Sequence, residues 1–362
     1  MSSLGVELIH AALSRARAMH ERAHWRREDR RQLRDVSLPS LTDAEIQTLR
    51  HTWPFLRIDR ADLYWARLYK KVYGFDPYFL GSVNQFNALR ARINPYREVC
   101  SLENKALLDV YFPEIPFPEV YVRGVNGQLF DATMRPLSLD NAWKILQARG
   151  AFVIKPALES MCGKGVRLIR LDEVPQAGAD WLAGVFAGAT QDFIVQEIIA
   201  QHPAVRQLNP TSLNCCRITS VYVGGAYTCA ALQKIGKAGS RIDNWNSSYF
   251  IGIQPDGRLK ETGWDDHAQP FSATDGGVPF ASIVVPGYSS MLAAAESFHK
   301  RFLPQCGIVG WDMIVDTEGR LKVIEANLTV PGLPSEQLCS GPFLKDVHAE
   351  LCHVFGSQVR YL

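Results

Sequence analysis

No apolar run in the 362 residues approaches the roughly 20 that carry a helix across a bilayer, so a membrane-spanning helix is not expected. The first residues have no apolar signal-peptide core and turn arginine-rich after Ser14, which predicts a cytoplasmic protein. The eight cysteines include no C-x-x-C spacing, and Cys215 and Cys216 are adjacent. That excludes a disulfide framework or a zinc ribbon and suits reduced thiols. A formal net charge of only +2 argues against the whole chain being a polyanion binder. Two nucleotide signatures are also absent. Gly163-Lys164 is followed by Gly165 where a Walker A loop needs Ser or Thr, and there is no G-x-G-x-x-G. The arginine-rich stretch holds Trp25 as its only aromatic, so it offers no stacking surface for nucleic acid. Neither an internal repeat nor a long low-complexity linker is evident.

What is present is an ordinary globular composition, 47% apolar and 21% charged, in a chain long enough for two or three packed units. Residues 5–35 read as one amphipathic helix with eight arginines from Arg15 to Arg34. Two readings stay open for it: a solvated face laced with i,i+4 ion pairs, or a docking arm for an anionic partner. Pro39 ends this unit. Thr42 and Glu45 then form the T-x-x-E capping box of a second helix, and 61–74 reads as a third, carrying Leu63, Leu68 and Val72 and stopped by Gly74 and Pro77.

From about residue 100 the chain turns to short apolar runs between Gly, Pro and Asn. Strands are expected at 119–123, 151–155, 166–171, 193–197, 217–223, 226–233, 248–253, 309–315 and 321–326, with helices at 102–110, 138–148, 289–302 and 343–355. Hairpins mixed with helices, without strict βαβ alternation, predict an α+β fold. The Gly-, Ser-, Asn- and Lys-rich stretch 234–248 reads as a mobile loop.

The most informative segment runs from Gly310 to Asn327. It reads as a hairpin turning at Glu318-Gly319, and a symmetric turn there pairs residues whose numbers sum to 637. Asp312 and Glu325 then face each other with Cβ atoms roughly 5 Å apart, and Asn327 shares their face. Opposed carboxylates repel, and a divalent cation would relieve the repulsion. Asp, Glu and Asn form an all-oxygen set of the kind Mg²⁺ takes. The alternative is an exposed hairpin with its acids in solvent, which the apolar Val323-Ile324 run disfavours.

Lys155 closes the apolar strand Ala151-Phe-Val-Ile, an unusual place for a lysine without a partner. After Pro156 comes a loop with Ser160, Gly163, Lys164 and Gly165, and then a second strand. Glycines there let backbone N–H groups approach phosphate oxygens, although an ordinary hairpin turn reads the same way. Phe193-Ile-Val-Gln196-Glu197 is a third buried strand with a polar end, whose backbone is suited to reading an adenine edge or simply lies exposed. Asn214 and Arg217 stand three apart at the start of a strand. The arginine fork suits a phosphate, a carboxylate or a structural ion pair.

In this order and spacing, the segments resemble the ATP-grasp superfamily, and within it the sugar-transfer-associated ATP-grasp family, over about residues 60–355. The carriers are Glu103-Asn-Lys105, Val153-Ile-Lys155-Pro156, the Gly163/Gly165 loop, Val195-Gln-Glu197, Ser212-Leu-Asn214 with Arg217, Asp243-Asn244, Gly310-Trp-Asp312 and Glu325-Ala-Asn327. The resemblance implies an α+β ATP-grasp fold, two α+β subdomains clasping ATP, with an N-terminal helical extension. It divides the chain into that extension (1–60), a pre-grasp region (61–145), a small subdomain (146–200) and a large subdomain with the metal site (201–362).

By the same resemblance, Lys105 and Lys155 would hold phosphates, Ser160, Gly163, Lys164 and Gly165 would close over them, and Gln196, Glu197, Ile198 and Ile199 would border the adenine. Asp312, Glu325 and Asn327 would hold one or two Mg²⁺ ions, with Mn²⁺ as a substitute, and Arg217, Lys234 and Asn214 would serve catalysis. The implied reaction joins a small-molecule or peptide carboxylate to an amine through an acyl phosphate. A kinase-like transfer to a hydroxyl and a non-catalytic ATP-binding protein are the alternatives.

Two departures stand out. Lys234 takes the place of an expected arginine, giving a point charge for a fork, and Asn246-Ser247-Ser248 replaces an expected Gly-Gly pair. His267, in a polar stretch, is either structural or a group serving the acceptor amine. The helices at 1–60 are open to two roles, a substrate gate or a homodimer face.

Overall fold

The computed structural model describes residues 3–158, 165–174, 178–189, 191–240 and 247–356, with the helical backbone alone at 3–15, 17 and 18. The helices are α1 (Ser3–Gln32), α2 (Asp43–Thr52), α3 (Tyr64–Tyr73), α4 (Val83–Ile93), α5 (Tyr96–Val99), α6 (Leu108–Tyr111), α7 (Leu139–Arg149), α8 (Ala179–Ala187), α9 (Pro203–Arg206), α10 (Tyr288–Phe302), α11 (Pro334–Ser340) and α12 (His348–Gly356). The strands are β1 (Val120–Val125), β2 (Gln128–Phe130), β3 (Pro136–Leu137), β4 (Ala151–Pro156), β5 (Arg167–Arg170), β6 (Phe193–Gln196), β7 (Cys216–Val223), β8 (Ala226–Gly236), β9 (Ser248–Ile253), β10 (Leu259–Trp264), β11 (Pro270–Phe271), β12 (Ile308–Val315) and β13 (Leu321–Asn327). Among the described residues, no helix is long and apolar enough to cross a membrane.

Two antiparallel sheets organise these elements. The smaller runs β3-β2-β1-β6-β4-β5, and the larger runs β11-β10-β9-β8-β7-β12-β13. The small sheet takes β1–β3 from before residue 145 and β4–β6 from after it. Its core joins Phe152, Ile154 and Val195 to Ala142 and Leu146 of α7 and Leu182 of α8. One face of the large sheet, with Ile218, Trp311 and Met313, packs on Met291 and Ala295 of α10.

The N-terminal region belongs to the core. The Thr42/Glu45 capping box forms, with Glu45 N–H donating to Thr42 Oγ1 and Thr42 N–H to Glu45 Oε2. Ile46, Leu49 and Trp53 pack with Val221, Val223, Ile308 and Leu351. The last turns of α1 are also tied down. Buried Asp29 accepts from Trp65 Nε1 at 2.9 Å and from the Val83 amide, and Arg26 pairs with Asp59 and Asp62.

The expected helix at 102–110 is instead two short pieces, a 3-10 turn at Cys100–Glu103 and α6. Extended backbone at Asn104 separates them, and the Lys105 amide donates to Ala157 O. The β12–β13 hairpin also departs from simple symmetry. Gly310, Trp311 and Asp312 pair with Asn327, Ala326 and Glu325, whose sums are 637. Met313, Ile314 and Val315 pair with Val323, Lys322 and Leu321, whose sums are 636. The turn has one residue fewer than expected, with Gly319 at φ 80°, and a bulge at Ile324 restores the register.

Candidate functional site

A cleft of about 2090 Å³ is walled by residues from both sheets, larger than the roughly 300–1,000 Å³ of a typical small-molecule pocket. Lys105, Lys155, Gln196, Glu197, Ile198, Ile199, Arg217, Lys234, Asp312, Glu325 and Asn327 all line it, so the structure brings together most of the residues that the sequence singles out.

Strand register builds the centre. Leu232 on β8 lies opposite Arg217 on β7, Arg217 opposite Asp312 on β12, and Asp312 opposite Glu325 on β13, in one row across the large sheet. Arg217 donates from Nε to Asp312 Oδ1 at 2.8 Å, from Nη2 to Oδ2 at 2.9 Å and from Nη1 to Pro331 O at 3.1 Å. Lys234 Nζ stands 3.2 Å from Asp312 Oδ1. Burial alone would push the Asp312 carboxyl up, but the charges of Arg217 and Lys234 outweigh it and hold the group well below the usual carboxylate range. Across the row, Lys105 Nζ lies 3.4 Å from Glu325. The repulsion expected between Asp312 and Glu325 is therefore met by protein cations, and it does not by itself require a metal.

Lys155 stands on β4, where burial, reinforced by the charge of Lys105, pushes its ammonium down to about 8 against the pull of Glu325. Gln196 on β6 is buried, with its Nε2 near Pro118 O and, among the described residues, no partner for Oε1. The Glu197 amide already donates to Glu119 O, and its carboxylate accepts from Glu119 N–H at 2.8 Å and Lys322 Nζ at 2.5 Å. Gly165 has φ 80°, and a Cβ there would press on the Pro156 ring. Ser160, Gly163 and Lys164 lie outside the described residues, as do Asp243, Asn244 and Asn246.

Two expected participants lie elsewhere. Asn214 is buried, and its Nδ2 donates to Asn209 O at 2.9 Å and Val205 O at 3.2 Å. It braces the loop before β7 and does not line the cleft. His267 Nδ1 sits 3.3 Å from Gln32 O at the end of α1, also away from the cleft.

Sequence reading missed two acids at the site. Glu103, in the Glu103-Asn-Lys105 segment, organises the chain after Asn327. It accepts from the Leu328 amide, from the Thr329 amide at 2.7 Å and from Thr329 Oγ1 at 2.6 Å. Glu336, on α11, is 1% exposed and borders the cleft beside Arg217. Its burial in Ser-Glu-Gln leaves no periodic signal.

As a donor set, Asp312, Glu325 and Asn327 fit Mg²⁺. Asn327 Nδ2 turns to Gly310 O at 3.1 Å, which leaves its amide oxygen available to a cation. A carboxylate offers about four lone-pair positions, so Asp312 retains acceptor capacity beyond its bonds to Arg217 and Lys234. Among the described residues, no three His, Cys, Asp or Glu side chains converge as a metal cage. Two carboxylates and an amide match an ion that keeps waters and borrows phosphate oxygens.

Comparison with known proteins follows the same lines. The profile of the sugar-transfer associated ATP-grasp family matches residues 84–353. A search of curated proteins returns no match. Among solved structures, the chain is similar to the D-cycloserine synthetase DcsG, at 15% identity over 85% of this chain and 95% of that one, with a TM-score of 0.41. It is similar to an L-amino acid ligase from Bacillus licheniformis at 13% identity, covering 87% and 62% with a TM-score of 0.39. It is also similar to D-alanyl-alanine synthetase A from Vibrio cholerae at 12% identity, covering 68% and 60% with a TM-score of 0.38. The chain thus spans less than two thirds of the last two proteins, and likeness this distant has no bearing on substrate. The assignment rests on the profile, which covers about three quarters of the sequence: the chain belongs to the sugar-transfer associated ATP-grasp family.

Proposed function

We propose that the protein is an ATP- and Mg²⁺-dependent ligase that joins a carboxylate to an amine through an acyl phosphate, releasing ADP and phosphate. One observation carries the reading: two lysines from the small-sheet side and the Arg217-Asp312-Glu325 row of the large sheet line one cleft. On this reading 146–200 and 201–362 contribute the two halves of the clasp, joined by strands from 120–137.

Lys105 and Lys155 hold the α- and β-phosphates. The orphaned Oε1 of Gln196 and the backbone at Ile198 and Ile199 border the adenine, since the Glu197 amide is already bonded to Glu119. Ser160, Gly163, Lys164 and Gly165 belong to the phosphate-covering loop. Asp312, Glu325 and Asn327 hold Mg²⁺, whose charge, when bound, offsets that of the phosphates.

A carboxylate oxygen of the substrate attacks the γ-phosphorus, and the bond to the ADP oxygen breaks. Lys155, Lys105, Arg217 and Lys234 stabilise the charge spread over the transferring oxygens. An amine nitrogen then attacks the acyl carbon, the C–O bond to phosphate breaks, and the amine gives up a proton. Volume beyond that of a nucleotide leaves room for both acceptors. The family association with sugar transfer favours a role in glycan or specialised-metabolite biosynthesis.

The test is ADP release with ATP and Mg²⁺ across a panel of carboxylates, with hydroxylamine as a surrogate amine. Carboxylate-dependent ADP with a trapped hydroxamate is expected. ADP released only by alcohols or sugars, without hydroxamate, would replace the ligase with a kinase-like transfer.

A further inference from the structure

Tyr96 and Val330 are cleft residues that the proposed chemistry leaves unused. At 61% and 58% exposed they are, with Met19, the most exposed large apolar side chains among the described residues, and both line the cleft. Exposed apolar residues scattered singly over a surface need no explanation. Two in one wall of a ligand cleft, each on a rigid base, call for one.

The backbone on either side of Val330 is fixed. Glu103 accepts from the amides of Leu328 and Thr329 and from the Thr329 hydroxyl. On the other side, Pro331 O accepts from Arg217 Nη1 and from Thr219 Oγ1, each at 3.1 Å. A Cβ on Gly310 would strike Pro331 O, so the turn lies directly on β12. Polar contacts thus hold a turn whose valine is left exposed in the cleft.

Tyr96 stands on a comparable base. Two residues before it, buried Asn94 donates to Ile308 O at 2.6 Å and to Leu328 O at 2.9 Å, and it accepts from the Ile308 amide. Asn94 and Glu103 therefore grip consecutive residues, Leu328 and Thr329. They bring the 94–103 segment and the turn into one wall, which Cys100 and Ser101 extend. The Glu103 carboxylate in that wall is already engaged by the turn.

β13 gives the wall its place in the reaction. Near its start Lys322 pairs with Glu197, at the end proposed for the adenine. Its last residue is Asn327, of the proposed metal set. The stretch from Lys322 to Asn327 spans roughly 16 Å, and Val330 comes three residues later, on the far side of the metal set from the adenine. A carboxylate attacking the γ-phosphorus in line approaches from that side, opposite the departing ADP oxygen.

We infer that Tyr96 and Val330 form a subsite for the apolar part of the carboxylate substrate, an acid that carries a branched alkyl or aryl group. Its carboxylate lies toward Arg217 and Lys234, and the chain behind it covers Val330 and the Tyr96 ring and takes both out of water. The inference rests on the ligase reading for the direction of attack, whereas the subsite itself stands or falls on binding.

Binding tests it directly. Unfolding midpoints are measured with ADP and Mg²⁺ present while phenylacetate, isovalerate, phenylalanine or leucine is titrated, beside the short acids acetate and alanine. At least one bulky acid is expected to bind at least about tenfold more tightly than its short counterpart. Val330→Thr, which keeps the shape, and Tyr96→Ser are each expected to reduce that preference severalfold. Both side chains are exposed, so the variants should fold, and unchanged ADP affinity verifies it. No binding by any acid, no preference for a bulky one, or a preference that both variants keep in full overturns the inference. A bulky-acid preference without hydroxamate formation would leave the subsite standing and remove the ligase reading instead. Hydroxamate formed equally well from short and bulky acids would do the reverse.

Discussion

Arg217 and Asp312 face each other across β7 and β12 and share two parallel hydrogen bonds at 2.8 and 2.9 Å, deep in the cleft. The pair separates two effects that are otherwise confused at such a site. Asp312→Ala should abolish ADP release, and it should also strand the buried charges of Arg217 and Lys234, at about 3–5 kcal/mol of stability. Glu325 is a quarter exposed and has one cation at 3.4 Å, so Glu325→Ala should abolish turnover with little change in urea midpoint. Near-normal turnover in Glu325→Ala would remove it from the metal set.

Lys155 ties nucleotide binding to pH. Its folded-state value of about 8 lies below the ordinary lysine value near 10.4. Between those limits the unfolded chain binds the extra proton, so this group makes the free protein more stable as pH rises through that window. ATP affinity should move the opposite way, because phosphate favours the charged ammonium: affinity falls as pH rises above 8, and binding near pH 8–9 takes up a proton. Calorimetry in two buffers of different ionisation enthalpy measures the uptake. Lys155→Arg should flatten the profile, and an unflattened profile would assign the effect elsewhere.

Glu103 fixes the chain that follows Asn327 by accepting from the amides of Leu328 and Thr329 and from the Thr329 hydroxyl. Glu103→Ala leaves those donors unpaired and is expected to cost about 1–3 kcal/mol. Glu103→Gln keeps one acceptor oxygen and should cost less. Urea unfolding of both variants gives the comparison, and an equal cost would mean that the charge matters more than the acceptor.

The last turns of the long first helix are tied into the fold. Removing residues 1–35 takes away buried Asp29 and Leu33, the bond to Trp65 and Arg26, the cation paired with Asp59 and Asp62. That truncation should unfold early or fail to express, and a stable 36–362 protein would show the helix to be peripheral.

Much of this was legible in the sequence where a local rule suffices. Short apolar runs marked nine of the strands, T-x-x-E marked the start of α2, and the 637 sum placed Glu325 opposite Asp312. The turn reading behind that sum was off by one residue, and the Ile324 bulge supplied the difference. What escaped depended on distant partners. α4 carries Asn, Gln and Arg among its apolar residues, and its helix is stabilised by docking on α1 and the β12 region. β10, Leu259–Trp264, reads as polar because Lys260, Glu261 and Thr262 interrupt it, the last two of them exposed. Asn214 looked catalytic beside Arg217, yet its amide is spent on Asn209 and Val205, contacts that no motif encodes.

The extra residue at Ile324 has a consequence for how one strand serves two chemistries. In a regular strand the inward positions fall every second residue; in β13 the buried ones are Val323 and Ala326, three apart. The dislocation places an aliphatic side chain and a carboxylate next to each other on the cleft wall, where Ile324 and Glu325 both stand. On the proposed reading, the cleft holds a planar base and a polyphosphate, which call for such unlike neighbours close together. Excising Ile324 would return β13 to strict alternation and turn either its carboxylate or its apolar flank away from the cleft wall.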